Sequence, residues 1–270
     1  MSRRRTALAI VPVLVAAIAT ALAAPLSAND HIPTRERPSI EQLVAYFDTV
    51  AFGSEFAGIE AAPTVRKWQL PLRVVVREYN EVVTVTSGGR EIRRLEAMPV
   101  QSKHVAYVQK HLNTLAVLSG LKTQDAKKTR WPPNFTIKFV PPLQLTNPQL
   151  ANVEPGIIKR LGAQGGCYFV TWTDEEGINL RDAVIVINKA RPAEKTDHCV
   201  LEEMTQSLGL PNDTTPPWPS IFSNTGTVKE LSWVDNVMVK TLYDARMKPG
   251  MSRADALITA RRVISEIINR

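Results

Sequence analysis

The sequence predicts an α+β fold: a mixed β-sheet backed by helices, with one further helix appended at the C-terminus. Three observations point there. Short apolar runs of strand character recur at residues 72–76, 82–86, 135–140, 167–173 and 182–188. Longer segments at 39–52, 100–120, 197–210, 232–243 and 252–268 repeat their apolar residues at helical spacing. After the first helix the order is strand, helix, several strands, then helices, which suits a sheet covered by helices.

Each element has a local reason. Ser39 is placed to cap the first helix, Glu41 sits in its first turn, and Ile40, Leu43, Val44 and Phe47 share a face. Leu72, Val74, Val75 and Val76 make a strand within 68–79; a hairpin-like piece at 82–86 then runs into the turn Ser87-Gly88-Gly89. Over 100–120, Val105, Val108, Leu112, Leu115 and Leu118 form one apolar stripe, and Gly120 ends the helix. Pro141 and Pro142 stop the strand at 135–140, and residues 143–165 read as irregular or weakly helical. The strands at 167–173 and 182–188 follow. The helix at 197–210 takes Thr196 or Asp197 as its cap, buries Leu201, Met204, Thr205 and Leu208, and breaks at Gly209.

The N-terminus carries an address rather than a fold. Arg3, Arg4 and Arg5 precede an Ala-rich apolar run over 6–22, and Leu26-Ser27-Ala28 supplies a cleavage site. Residues 1–28 therefore read as a secretory signal peptide. The run is short for a membrane span and Pro12 interrupts it. No later stretch is long and apolar enough to span a bilayer, and no Cys follows the run to accept a lipid. Residues 29–38, polar with two prolines, read as a flexible lead-in to a single domain over 39–270. The expected location is the periplasm or the medium.

Removing the three arginines of 1–28 takes the formal net charge from +7 to +4. The remaining basic residues are scattered, with Arg90, Arg93 and Arg94 near one turn and Lys127, Lys128 and Arg130 near another. That is no phosphate-binding stripe, so nucleic acid is not an expected partner. The two cysteines, Cys167 and Cys199, are most simply a disulfide in an exported chain. Two buried thiols remain the other reading.

The helix at 197–210 holds the chemistry. From Cys199 the chain reads C-V-L-E-E-M-T-Q-S-L-G-L-P-N-D. It resembles the H-E-x-x-H-x-x-G-x-x-H segment of metzincin zinc proteases with the histidines replaced. Glu202, Gln206 and Asn212 stand at the three His positions, Glu203 at the catalytic Glu, Gly209 at the Gly, and Asp213 follows. Ser220-Ile221-Phe222 resembles the Ser-x-Met turn beneath the metal, with Phe222 for Met. Leu231-Ser232 and Asp235, running on to Leu242-Tyr243, resemble the closing helix. The segment from Glu202 to Asp213, with the L-Y-D-x-R-x-K-P-G-M run from Leu242 to Met251, also resembles an exported bacterial family known as domain of unknown function 2927. That family implies no activity. The first resemblance implies a zincin-like fold and a cleft formed by Glu202, Gln206, Asn212, Asp213 and Phe222.

Residues four apart on a helix share a face, so Glu202 and Gln206 point the same way, and the Gly209 break lets Asn212 approach. A carboxylate and two amides make a poor zinc site. Oxygen ligands suit calcium or manganese better, which leaves Glu202, Gln206 and Asn212 as weak candidates for such a cation, with no cofactor as the expectation. His198, one turn before Glu202, reads as a capping or surface residue. His104 and His111 read as surface residues, because no acid accompanies them at ligand spacing. No G-x-S-x-G or Walker pattern occurs. The expectation is an exported pseudo-protease that binds a peptide or an envelope protein. The alternative is a hydrolase with an altered site and Glu203 as general base; a purely structural envelope protein is a third reading.

Overall fold

The computed structural model describes residues 37–53, 62–163, 165–224 and 228–269. The signal peptide and residues 29–36 of the lead-in lie outside the described residues. The lead-in ends earlier than expected, because Pro38 is buried and belongs to the compact unit that runs from Pro38 to Arg270. The fold is α+β: a seven-stranded mixed sheet with six α-helices among the described residues.

Helix α1 (Ile40–Phe52) opens on a capping box. The Ser39 hydroxyl accepts from the Gln42 amide, and the Gln42 side chain accepts from the Ser39 amide. After the short β1 (Lys67–Trp68) comes β2 (Leu72–Val85), one continuous strand where the sequence predicts two pieces. Its inner half lies in the sheet. Its outer half pairs with β3 (Glu91–Met98), antiparallel from Glu78↔Met98 to Val85↔Glu91. β3 is a strand that the apolar pattern misses: its residues are mostly exposed and half of them are charged, and the β2 ladder holds them.

Helix α2 (Ser102–Ser119) ends at Gly120, whose φ of 70° places it in the left-handed region. Its buried face is His104, Val108, His111, Leu112 and Leu115, while Val105 is 45% exposed and Leu118 only half-buried. The expected stripe is therefore rotated toward the two histidines. β4 (Thr123–Asp125), β5 (Phe135–Val140), α3 (Pro155–Gly162), β6 (Cys167–Thr173) and β7 (Asn179–Asn188) follow. Helix α4 (Ala193–Gln206) begins earlier than predicted, with Pro192 at its cap. Thr196 lies inside it and donates its hydroxyl to the Arg191 and Pro192 carbonyls, and Asp197 turns to His111. Neither caps the helix. α5 (Trp233–Tyr243) and α6 (Arg253–Ile268) complete the chain, each opening on a serine cap, Ser232 and Ser252.

β4, β2, β5 and β7 run parallel, and β6 pairs antiparallel with β7 at the sheet edge. One face of β5 and β7 buries Phe135, Ile137, Phe139, Ala183, Ile185 and Ile187 completely in the large core, which α1, α2, α4, α5 and α6 complete. The other face packs Val140, Val186 and Tyr168 against Leu145, Leu150, Ile158 and Leu161. The C-terminal helix belongs to the large core: Ala256, Ala260 and Ile264 are buried, and Arg253 reaches Asp48 of α1 at 2.6 and 2.7 Å. Among the described residues no helix is long and apolar enough to cross a membrane.

Candidate functional site

The predicted site lies at the C-terminal end of α4 and in the loop that follows. Gly209 makes the break. Its φ is +116°, and a Cβ there would lie 2.1 Å from the Arg66 carbonyl oxygen, so a side chain fits neither the conformation nor the space. The turn carries the chain toward α1. There the Asn212 amide nitrogen donates to the Thr49 carbonyl at 3.1 Å, and its backbone N–H donates to the Val50 carbonyl at 3.2 Å.

The other site residues are drawn to different partners. Gln206, 2% exposed, donates its amide to Asp213 Oδ1. Glu202 turns back along its own helix, 3.5 Å from His198 Nε2. His198 is buried, not a capping or surface residue, and its Nδ1 lies 2.7 Å from the Val228 carbonyl, to which it donates. Burial works against its protonation, but Glu202 and that carbonyl prevail and raise its pKa. Glu203 is 5% exposed. Phe222 is fully buried, edge-on to Tyr46, with its carbonyl accepting from Thr214 N–H. The fold thus joins Gln206 to Asp213 and sets Asn212 and Phe222 against α1. It sends Glu202 toward His198.

The Glu202 carboxylate and the amide nitrogens of Gln206 and Asn212 therefore each have a partner within the fold. Among the described residues, the one group of three His, Cys, Asp or Glu side chains at ligand spacing is Cys167, Cys199 and Glu202. Its two sulfurs form the expected disulfide, so they offer no thiolate to a metal.

Beneath the site the two downstream motifs form one buried network. Ser220 Oγ donates to Asp235 Oδ1 at 2.5 Å and lies 2.6 Å from the Tyr46 hydroxyl. Asp235 Oδ2 accepts from the Ile221 and Ser232 backbone amides. Burial pushes the Asp235 carboxyl up, against the opposing effect of these donors. Tyr243 then ties the closing helix to the break: its hydroxyl donates to the Leu208 carbonyl and accepts from Trp68 N–H. Lys67, buried alongside, donates to the Leu242 and Asp244 carbonyls, and desolvation brings its pKa down to about 8.

His104 and His111 are not surface residues. Both are at most 1% exposed. His104 Nδ1 lies 2.9 Å from Glu78 Oε2, and its ring stacks on Phe139 at 4.0 Å. Gln101 donates to both Glu78 oxygens, and Lys189 is 3.7 Å from one of them. His111 Nε2 is 2.6 Å from Asp197 Oδ1, whose other oxygen lies 3.5 Å from Lys110. The acids come from β2 and α4, far away in sequence. The spacing of His104, Val108, His111, Leu112 and Leu115 is nonetheless that of one helix face, and it carries the signal that they are buried.

Two grooves, of about 430 and 640 Å³, run along β2 beside Val75, Val76, Pro99, Val100 and Lys127. None of Glu202, Glu203, Gln206, Asn212, Asp213 or Phe222 lines them. What the α4 arrangement defines is a closed, hydrogen-bonded helix end beside an edge strand. Residues 40–261 match the family described as protein of unknown function (DUF2927), and the chain belongs to that family. Comparison with curated proteins gives no match.

Proposed function

We propose that this chain is an exported, non-catalytic, zincin-like protein that binds a peptide or a segment of a partner protein in the cell envelope. One observation carries the reading. Glu202, Gln206 and Asn212, at the positions where a metzincin holds zinc, are a carboxylate and two amides turned to His198, Asp213 and Thr49. These contacts within the fold support a structural role for the three groups, and amide oxygens are weak zinc ligands in any case.

Other features support it. Ser220 and Asp235, drawn from the two motifs that resemble the turn and the closing helix, meet in one buried network. Strand β6 pairs with β7 alone among the described strands, and the disulfide sets it beside α4. An extended segment added to such an edge gains main-chain hydrogen bonds without any metal. The disulfide suits an oxidising compartment.

The test is elemental analysis of the purified chain lacking residues 1–28, with thermal shifts in zinc, calcium and manganese. No stoichiometric metal and no shift are expected. Stoichiometric metal that disappears in Glu202→Ala overturns the proposal. Peptide hydrolysis that falls roughly 10²–10⁴-fold in Glu203→Gln replaces it with the hydrolase reading.

A further inference from the structure

Arg191 is placed against the disulfide. Its Nη1 donates to Cys199 Sγ at 2.9 Å and lies 3.9 Å from Cys167 Sγ. No carboxylate among the described residues pairs with this guanidinium within 4.0 Å. The neighbouring chain makes room for it: a Cβ on Gly166 would come within 2.4 Å of Nη1. A disulfide sulfur is a weak acceptor, whereas a thiolate is a full negative charge. The guanidinium is therefore better matched to the reduced pair than to the oxidised one. A cation beside a cysteine lowers its pKa, and a thiol of low pKa is the better leaving group. The two sulfurs also differ in access. Cys199 is fully buried in α4, while Cys167 is partly exposed at the start of the edge strand β6.

We infer that the Cys167–Cys199 bond is redox-active, reduced by an external dithiol that attacks Cys167 while Cys199 leaves as a thiolate held by Arg191. The thiolate of the reductant forms a bond to Cys167 Sγ, and the Cys167–Cys199 bond breaks. Its electron pair stays on Cys199. The second thiol of the reductant, as thiolate, then displaces Cys167. The reductant becomes a disulfide, Cys167 takes up one proton, and one proton is released. A carboxylate oxygen of Glu202 lies within 4.8 Å of both sulfurs. Its negative charge opposes the thiolate, but Arg191 hydrogen-bonds Cys199 Sγ directly and His198 faces Glu202. Reduction frees β6 from α4, and this inference does not depend on the peptide-binding reading.

The test equilibrates the oxidised protein in glutathione buffers of varied ratio, then alkylates free thiols and counts them by mass. Reduction is expected without loss of the far-ultraviolet circular dichroism of the folded protein, with the mixed disulfide to glutathione on Cys167. Arg191→Gln is expected to move the midpoint at least about tenfold toward reducing conditions, the equivalent of one pKa unit. The same variant should raise the pH at which Cys199 of the reduced protein alkylates, and Arg191→Lys should recover part of both effects. Gly166→Ala, which displaces the guanidinium, is the second variant and should shift the midpoint in the same direction. Reduction only after unfolding in denaturant, glutathione on Cys199, or a midpoint unmoved by both Arg191→Gln and Gly166→Ala overturns the inference.

Discussion

His104, His111 and His198 are all buried, and each faces a carboxylate: Glu78, Asp197 and Glu202. They differ in the balance between desolvation and that carboxylate. Burial holds His104 and His111 below the ordinary histidine pKa despite their acids. For His104 there is a further reason. Among the described residues its Nε2 has no hydrogen-bond partner, so an imidazolium would bury an unmatched N–H. His198 is raised. The signs follow. As pH falls through about 6.5, the unfolded chain takes up protons that folded His104 and His111 refuse, and stability is lost until their folded pKa values are reached. His198 works the other way: its contribution is present below about 6.5 and disappears as pH rises through its folded pKa. Below about pH 6.5 His198 is protonated in both states and adds no slope, so His104 and His111 act unopposed. Stability should then fall by up to about 2.7 kcal/mol per pH unit on acidification, two protons at about 1.36 kcal/mol each. Urea unfolding at a series of pH values checks this. His104→Gln should flatten that slope, and His198→Gln should leave it unchanged while abolishing the loss of stability that His198 causes as pH rises above about 6.5; stability that rises on acidification below about pH 6.5 contradicts the assignment. The acid partners of His104 and His111 were not legible beside them, because Glu78 and Asp197 lie 26 and 86 residues away, whereas Glu202 stands one turn from His198. The burial itself was legible, in the spacing of His104 and His111 with Val108, Leu112 and Leu115.

At the scale of elements, local chemistry decides what can be read. α1, α5 and α6 open on serines whose hydroxyls accept from the third helical residue, and α2 stops at a left-handed Gly120, so their bounds were legible to within a few residues. α4 was misjudged by one turn because Thr196 and Asp197, good caps in isolation, spend their side chains on Pro192 and His111 instead. β3 was invisible because its strand character comes from pairing with β2 and not from its own apolar pattern. The break after α4 was legible, and the packing explains why it is glycine. Gly209→Ala meets both a left-handed φ and the Arg66 carbonyl, so a loss of about 3 kcal/mol or more is expected in urea unfolding. A loss under about 1 kcal/mol would mean that the turn relaxes freely. At the start of α5, Ser232→Ala removes an acceptor for the Asp235 amide and should cost about 1 kcal/mol. Asp235→Ala leaves the Ile221 and Ser232 amides and the Ser220 hydroxyl without their acceptor, and about 3 kcal/mol or more is expected.

Across the whole molecule, the sheet joins two cores, and the disulfide is the one covalent tie between its edge strand β6 and the helix that carries the site. The pairing was legible from composition alone, since two cysteines leave one partner each. The converging cleft was not, because helical spacing states only which side chains share a face. It cannot say that Asn212 is claimed by the end of α1 or Glu202 by His198. The same limit hides Arg191, whose position against the sulfurs depends on the loop between β7 and α4 and on the space at Gly166. The cross-link closes a span of 32 residues, for which chain entropy alone predicts about 3–4 kcal/mol of stabilisation. Replacing both cysteines by serine should cost that amount in urea unfolding. Chemically reducing the unaltered chain should cost less, because the Cys199 thiolate then pairs with Arg191 in the folded state and meets only water in the unfolded one. The difference should vanish in Arg191→Gln, where the reduced chain and the double serine variant lose the same stability. If reduced and serine-substituted chains are already equal with Arg191 in place, the guanidinium does not favour the reduced state, and the disulfide is a purely structural staple.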